Sequence, residues 1–317
     1  MGMLQREDLK ASRPDGRMPG WLRLINGPQT LGRGPVFWIV FVLTIAAAVV
    51  YPAFADAWSV GNTAYFFCWV FMALGLSLIW GYAGSLSFGQ TAFFGLAGYT
   101  YGVVTINFGA AYGLTIVGVL LGVGMSCLGA AVLGYILFYG RISGVFLGIV
   151  TLSTTLVFAT FMAQTAGSQW AIGDARLGGD NGMTGMPPLT IPWAGGDIAL
   201  YSGVPLYYLL LAMLVVCYLG LRVLVNSRFG NVLVAIRENP HRAEMLGYDI
   251  RRYQLIAFVI GSGLAGLSGV LYTAWGQYIS PSNMDLAAAA LPIIWVAVGG
   301  RKDLTATLVG TLVVLGI

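Results

Sequence analysis

The sequence predicts an all-α polytopic membrane protein of about nine transmembrane or partly spanning helices, with a cytoplasmic N-terminus. Three observations carry that prediction. Of the 317 residues, 58% are hydrophobic and only 9% charged, whereas a soluble domain carries about 25% charged residues. Charge is absent from 57–140, 142–173, 253–284 and 286–300 and collects in short islands between these runs. When the runs alternate sides, every one of the 16 Lys and Arg residues except Arg176 falls on the same side. Basic residues are retained on the cytoplasmic side, so that side is inside.

The spans are read at 36–55, 60–80, 90–107, 113–139, 142–166, 205–225, 253–275, 286–299 and 304–317. A crossing needs about 20 apolar residues, and the first seven runs approach or exceed that length. The last two are short, since 14 residues rise only ~21 Å in a helix. They are expected as half-helices, a re-entrant pair, or helices sunk against neighbours. The final run reaches Ile317 without a cap or a polar flank, and further residues are expected in the natural protein.

Two domains follow: a cytoplasmic leader, 1–34, and a transmembrane domain, 35–317. The leader carries Arg6, Lys10, Arg13, Arg17, Arg23 and Arg33 and no apolar stretch of signal length. Trp21, Leu22, Leu24 and Ile25 fit a segment lying on the membrane surface as well as they fit disorder.

Three connections carry information. The first is 81–90, Gly-Tyr-Ala-Gly-Ser-Leu-Ser-Phe-Gly-Gln, too rich in glycine and polar side chains for a straight membrane helix. It is either a broken helix lining a pathway or a tight turn with close helix packing. The second is the external loop 167–203, with Gly178-Gly179-Asp180-Asn181-Gly182-Met183-Thr184-Gly185 followed by Pro187-Pro188. A connection this long is uncommon without a role. Asp180, Asn181, Gly182 and Thr184 are its candidate gate or contact residues for an external partner.

The third is the cytoplasmic island 226–252, read as two short helices. One covers about 230–238, with Val232, Leu233 and Ile236 on one face. The other opens with Asn239 as cap and Pro240 at the first position, and it ends at Gly247. Such a pair suits docking in a groove on another protein or lying on lipid headgroups.

Several chemistries lack their residues. No Walker A pattern surrounds Lys10 or Lys302, so any ATP is bound by another chain. No carboxylate lies deep in a span, which disfavours an ion-coupled carrier. His241 is the single histidine, and Cys68, Cys127 and Cys217 all sit in apolar stretches, where a thiol acts as a small hydrophobe. No metal, cofactor, nucleic-acid partner or enzyme active site is expected. The polar groups left inside are neutral: Ser85, Ser87, Gln90, Thr91, Thr151, Ser153, Thr154, Thr155, Thr160, Gln164 and Ser262. Each has a packing explanation through helix backbone bonds. As a set they form a route for a small neutral solute, with Gly84, Ser85, Ser87, Gly89, Gln90 and Thr151 as candidate path residues. A stand-alone channel for such a solute is the competing reading.

Four patches resemble the permease subunits of ATP-driven importers for branched-chain amino acids, and more closely the related urea and short-chain amide importers. They are GYAGSLSFGQTAFFGLAGY at 81–99, GGDNGMTG at 178–185, SRFGNVLVAIRENPHRAEMLGYDIRRYQLIAFVI at 227–260 and IIWVAVGGRKDL at 293–304. The resemblance implies an inner-membrane complex. In it, two related permeases pair with two cytoplasmic ATPase subunits, which hydrolyse the ATP, and an extracytoplasmic substrate-binding protein. It also implies ATPase coupling through Arg237, Glu238, Arg242, Glu244, Leu246 and Gly247. Lys302-Asp303 departs from the family pattern, where small or neutral residues usually continue.

Overall fold

The computed structural model describes residues 25–109, 115–191 and 198–316. The leader from Met1 to Leu24, with Trp21, Leu22 and Leu24, lies outside the described residues, as do Asp197 and Ile317. The chain is a polytopic all-α membrane protein with a small strand-built cap. Eleven α-helices are labelled in order. They are α1 Pro35–Val50, α2 Ala57–Leu76, α3 Gln90–Val104, α4 Thr115–Tyr139, α5 Val145–Ala163, α6 Val204–Asn226, α7 Arg228–Glu238, α8 Pro240–Met245, α9 Ile250–Gly276, α10 Leu286–Gly299 and α11 Leu304–Gly316.

Among the described residues, six helices are long and apolar enough to cross a membrane: those beginning at Pro35, Ala57, Thr115, Val145, Val204 and Ile250. The second of these extends as a π-helix over Ser77–Tyr82. The expected third span is shorter as an α-helix, because α3 gives way at Thr105–Gly109 to a π-helical turn. Helices α10 and α11 are short, as their apolar runs predict.

The core is built around α9, which packs on α2, α3 and α4. Small residues make that possible. A side chain on Gly261 would lie 2.5 Å from the Gly75 carbonyl of α2, and one on Gly269 would strike the Phe94 carbonyl of α3. Membrane helices gain association from such backbone approach, since lipid tails remove the hydrophobic drive between them. Helix α1 is peripheral and carries no buried residue. It leans on α6 through Phe41 against Tyr218, 5.6 Å between ring centres, and through Tyr207 Oη, which donates to Ala48 O at 2.8 Å.

The long connection between α5 and α6 is folded over its described residues. Strands β1 Ala171–Ile172 and β2 Ala175–Arg176 form a hairpin, and β4 Leu189–Ile191 pairs with β5 Ile198–Leu200. Between them, β3 Met183–Thr184 pairs antiparallel with β6 Tyr278–Ile279, in the α9–α10 connection, matching Met183 to Ile279. The cap rests on α3 and on the π-turn that follows it. Asn107 accepts from Asp174 N and donates to Ile172 O, both at 2.8 Å.

The described end of the leader is docked. Residues 25–33 are bound to the bundle. Gln29 N donates to Asn226 Oδ1 at 3.0 Å, Tyr82 Oη donates to Gln29 O at 3.0 Å, and Leu31 N donates to Asp303 Oδ2.

Candidate translocation and coupling site

The chain leaves the π-helix at Tyr82 and re-enters helix at Gln90, so 83–89 is a break between two buried elements. The turn is set by Gly84, whose φ of 76° suits glycine. The freed peptide groups are taken up by neighbours. Ser87 Oγ accepts from Gly89 N at 3.1 Å. Phe88 N donates to Thr151 Oγ1 at 3.1 Å, and Thr155 Oγ1 donates to Phe88 O at 3.3 Å. Helix α5 therefore satisfies both peptide groups of Phe88. Thr151 is one of the expected path residues, and here it fastens the break to α5.

Of the expected path residues, Ser87, Gln90 and Thr151 are fully enclosed and Ser85 nearly so. Ser85 Oγ accepts from Gln254 Nε2 of α9 at 3.4 Å. Gln90 is different. It is 1% exposed, yet neither its amide nitrogen nor its amide oxygen has a hydrogen-bond partner among the described residues. The neighbouring Thr91 hydroxyl is also unpartnered. Leaving such a group buried costs about 1–3 kcal/mol, and native structures tolerate it chiefly where a function or an unseen partner explains it.

Trp69 Nε1, Tyr99 Oη, Tyr101 Oη and Ser262 Oγ are in the same position. Trp69 sits in an aromatic cluster, stacked on Phe94 at 5.0 Å and 5.7 Å from Trp295. Of these four, only Ser262 belongs to the polar set read from the sequence. Tyr and Trp in apolar runs are ordinary features of membrane helices, so spacing gives no signal for the other three.

The island 226–252 forms the two short helices that its sequence predicts, with α7 starting two residues early. Ser227 caps α7, and Val232, Leu233 and Ile236 form its buried face. Asn239 Oδ1 accepts from Arg242 N at 3.0 Å, capping α8. Helix α8 closes at Gly247, with φ 85°, where Tyr248 N donates to Ala243 O at 3.2 Å. This is the left-handed terminus that the Gly position foretells.

The six expected coupling residues separate into two groups. Arg242, Glu244, Leu246 and Gly247 are exposed beside Met245, which is 89% exposed. Arg237 turns inward with a side chain only 16% exposed. Its Nη1 donates to the Gly81 carbonyl at the end of the π-helix, just before the break, and its Nε and Nη2 donate to Glu238 Oε1 at 3.1 and 2.7 Å. Glu238 is held below the ordinary carboxylate range, first by those hydrogen bonds, then by the charges of Arg237 and of Lys302, 3.9 Å away.

The expected gate residues lie at the opposite end. Asp180 and Asn181 are exposed on a 3-10 turn, Thr184 is exposed on β3, and Gly182 is buried against the carbonyl of Ile279. Asn181, Gly182 and Thr184, with Asp174 and Arg176, rim an open cleft in the cap, and Asp180 lies outside its lining. The path and gate residues do not meet, and α3 runs between them.

Known proteins share this chain's pattern. The family described as "Branched-chain amino acid transport system / permease component" matches residues 60–317. A probable branched-chain amino acid transport permease protein LivM of Methanocaldococcus jannaschii is 27% identical over 43% of this chain and 38% of that protein. A putative glucose ABC transporter permease protein TsgC13 of Haloferax volcanii is 27% identical over 59% of this chain and 53% of that protein. A probable ABC transporter permease protein y4mJ of Sinorhizobium fredii is 26% identical over 77% of this chain and 68% of that protein. The chain thus spans about two fifths of the LivM-type relative and about half of the glucose-type one. No solved structure matches it. The family match covers every helix from the first turn of α2 onward, both the break and the island included, and the chain belongs to the family of branched-chain amino acid transport system permease components.

Proposed function

We propose that this chain is the permease subunit of an ATP-binding-cassette importer of the inner membrane, and that the solute it passes is urea or a short-chain amide. It works with a second related permease, two cytoplasmic ATPase subunits and an extracytoplasmic binding protein. The binding protein meets the cap at Asp180, Asn181, Gly182 and Thr184. The ATPase meets Arg242, Glu244, Met245, Leu246 and Gly247. The N-terminus lies inside the cell.

The observation that carries the solute class is Gln90. A buried carboxamide with both ends unpartnered offers one acceptor and two donors, the complement of another amide. The surrounding spans hold no fixed charge to neutralise an ion. A second reading, a branched-chain amino acid, is favoured by the family description and by the printed name of the Methanocaldococcus relative. A zwitterion would then draw on the helix end at the break.

The test is uptake of labelled urea and of labelled leucine, measured separately, in vesicles holding the assembled complex. Urea uptake dependent on ATP, reduced about tenfold by Gln90→Ala, the worth of roughly one hydrogen bond, supports the proposal. Uptake of leucine alone moves the assignment to the second reading. Solute flux without ATP, from a chain that purifies without an ATPase, identifies a stand-alone channel instead.

A further inference from the structure

The feature of Arg237 that coupling to an ATPase does not explain is its direction. It stands in the last turn of α7, yet its guanidinium reaches back to the break rather than out to a partner. Gly81 offers it a carbonyl at the end of the π-helix, where the chain turns and leaves such groups without a helical donor. The contact is also steric. With no side chain on Gly84, the backbone and stem of Arg237 come close: a Cβ placed there would lie 3.0 Å from Arg237 Cγ and 3.3 Å from its Cα. One residue therefore both hydrogen-bonds the end of the π-helix and packs closely on the turn after it.

The far side of Gly81 is equally closed. A side chain on it would collide with the carbonyl of Arg301, which also accepts from Ser77 Oγ at 3.5 Å. Lys302, in the same turn, approaches Glu238, the carboxylate that holds the Arg237 guanidinium. Gly81 is thus clamped between α7 and the turn that opens α11. Beyond it, Ser85 N donates to Ile79 O at 3.0 Å, and the chain continues through Ser87 and Phe88 to its fastening on α5 and to Gln90.

We infer that Arg237 is the positioning residue that ties α7 to the inner end of the solute route, so that movement of α7 carries the Gly81–Gly84 turn with it. The hydrogen bond transmits a pull and the glycine contact transmits a push. In this division of labour α8 and its tip meet the ATPase, and Arg237 passes the displacement inward. The inference rests on reading 226–252 as the coupling island and assigns Arg237 a role inside the permease rather than at its surface.

The experiment uses Ser85→Cys in the purified complex, with the rate of modification by a hydrophilic thiol reagent read in nucleotide-free and ATP-trapped states. The parent chain's own rate, from Cys68, Cys127 and Cys217, is subtracted. The expected result is a rate that changes about tenfold between states, that stops changing in Arg237→Gln, and that partly recovers in Arg237→Lys, with the ATPase still co-purifying in every case. An unchanged nucleotide response in Arg237→Gln overturns the inference. Loss of the ATPase from the Arg237→Gln complex also overturns it, since Arg237 would then be a contact residue. If the wild-type chain carries no ATPase, the importer reading fails and the link is judged on the chain alone. There, adding Arg237→Gln to Ser85→Cys should raise the modification rate about tenfold by freeing the turn, and an equal rate overturns the link.

Discussion

At the residue scale, Arg222 shows how burial changes the meaning of a charge. By position it counts among the cytoplasmic basic residues near the end of a span. In the fold it is fully enclosed. Its Nε donates to Ile25 O at 3.1 Å, Nη1 to Tyr218 Oη at 2.9 Å and Nη2 to Gly32 O at 2.9 Å. Its guanidinium also faces Phe37, 4.6 Å to the ring centre. No carboxylate pairs with it among the described residues; carbonyl dipoles and ring faces carry its charge instead. Only a planar fork serves partners spread in this way, so lysine is not equivalent. Arg222→Ala should destabilise the detergent-solubilised protein by about 2–4 kcal/mol by leaving buried acceptors unpaired, with Arg222→Lys falling between it and wild type. Residues 25–34 should also become protease-sensitive. A wild-type melting midpoint and digestion pattern in Arg222→Ala would show that the dock contributes nothing. The sequence did hold a signal for this residue, since Arg222 lies inside the predicted span with Val223, Leu224 and Val225 after it. What it lacked was the partner, which comes from a segment far away in the chain.

At the element scale, α9 organises the bundle through its glycines, and the effect is specific to the positions where backbones touch. Gly261→Val must separate α9 from α2, because Gly75 O occupies the space a side chain needs. Overpacking of this kind typically costs about 1–3 kcal/mol, and the reciprocal approach of Gly75 to Gly261 O makes relief through a side-chain rotation impossible. Gly124 of α4 is the control, with open space around it. Gly124→Ala should leave the melting midpoint unchanged or raise it slightly, because glycine in a helix interior costs roughly 0.5–1 kcal/mol relative to alanine. Equal melting of the two variants would contradict this view of the α2–α9 contact. Composition reveals 45 glycines but not which of them meet another helix, and so only the assembled bundle separates Gly261 from Gly124. The island helices are the opposite case. The cap at Asn239 and the end at Gly247 are local chemistry, and each forms where the sequence places it, whereas α7 starts two residues before its expected position 230, behind a Ser227 cap.

At the scale of the whole molecule, the cap and the island are held by different means. The cap is joined to the bundle by β3–β6 pairing and by Asn107, and the island by the Arg237 contact and the buried face of α7. The orientation proposed from the basic residues places the cap outside. A membrane-impermeant thiol reagent applied to intact cells should therefore modify Asp180→Cys and spare Arg242→Cys until the cells are lysed, both positions being exposed. The reverse pattern would invert the topology.

The sequence by itself determined the fold class, where six of the long apolar helices lie, and the cap and the end of α8. Those features follow from local composition: charge is expelled from hydrocarbon wherever it occurs, and a cap acts within one turn of its residue. It also marked 81–90 as a break, because glycine and polar side chains weaken a membrane helix at the point where they stand. Tertiary structure alone decided what the break touches, that the long α5–α6 connection is a strand-built cap, that the leader's end is docked, and that Arg237 faces inward while Arg242 faces out. Each of these depends on a hydrogen-bond partner distant in sequence. A buried donor or acceptor must be satisfied by whatever the completed bundle brings within reach, and that is a property of the assembled helices rather than of any one of them.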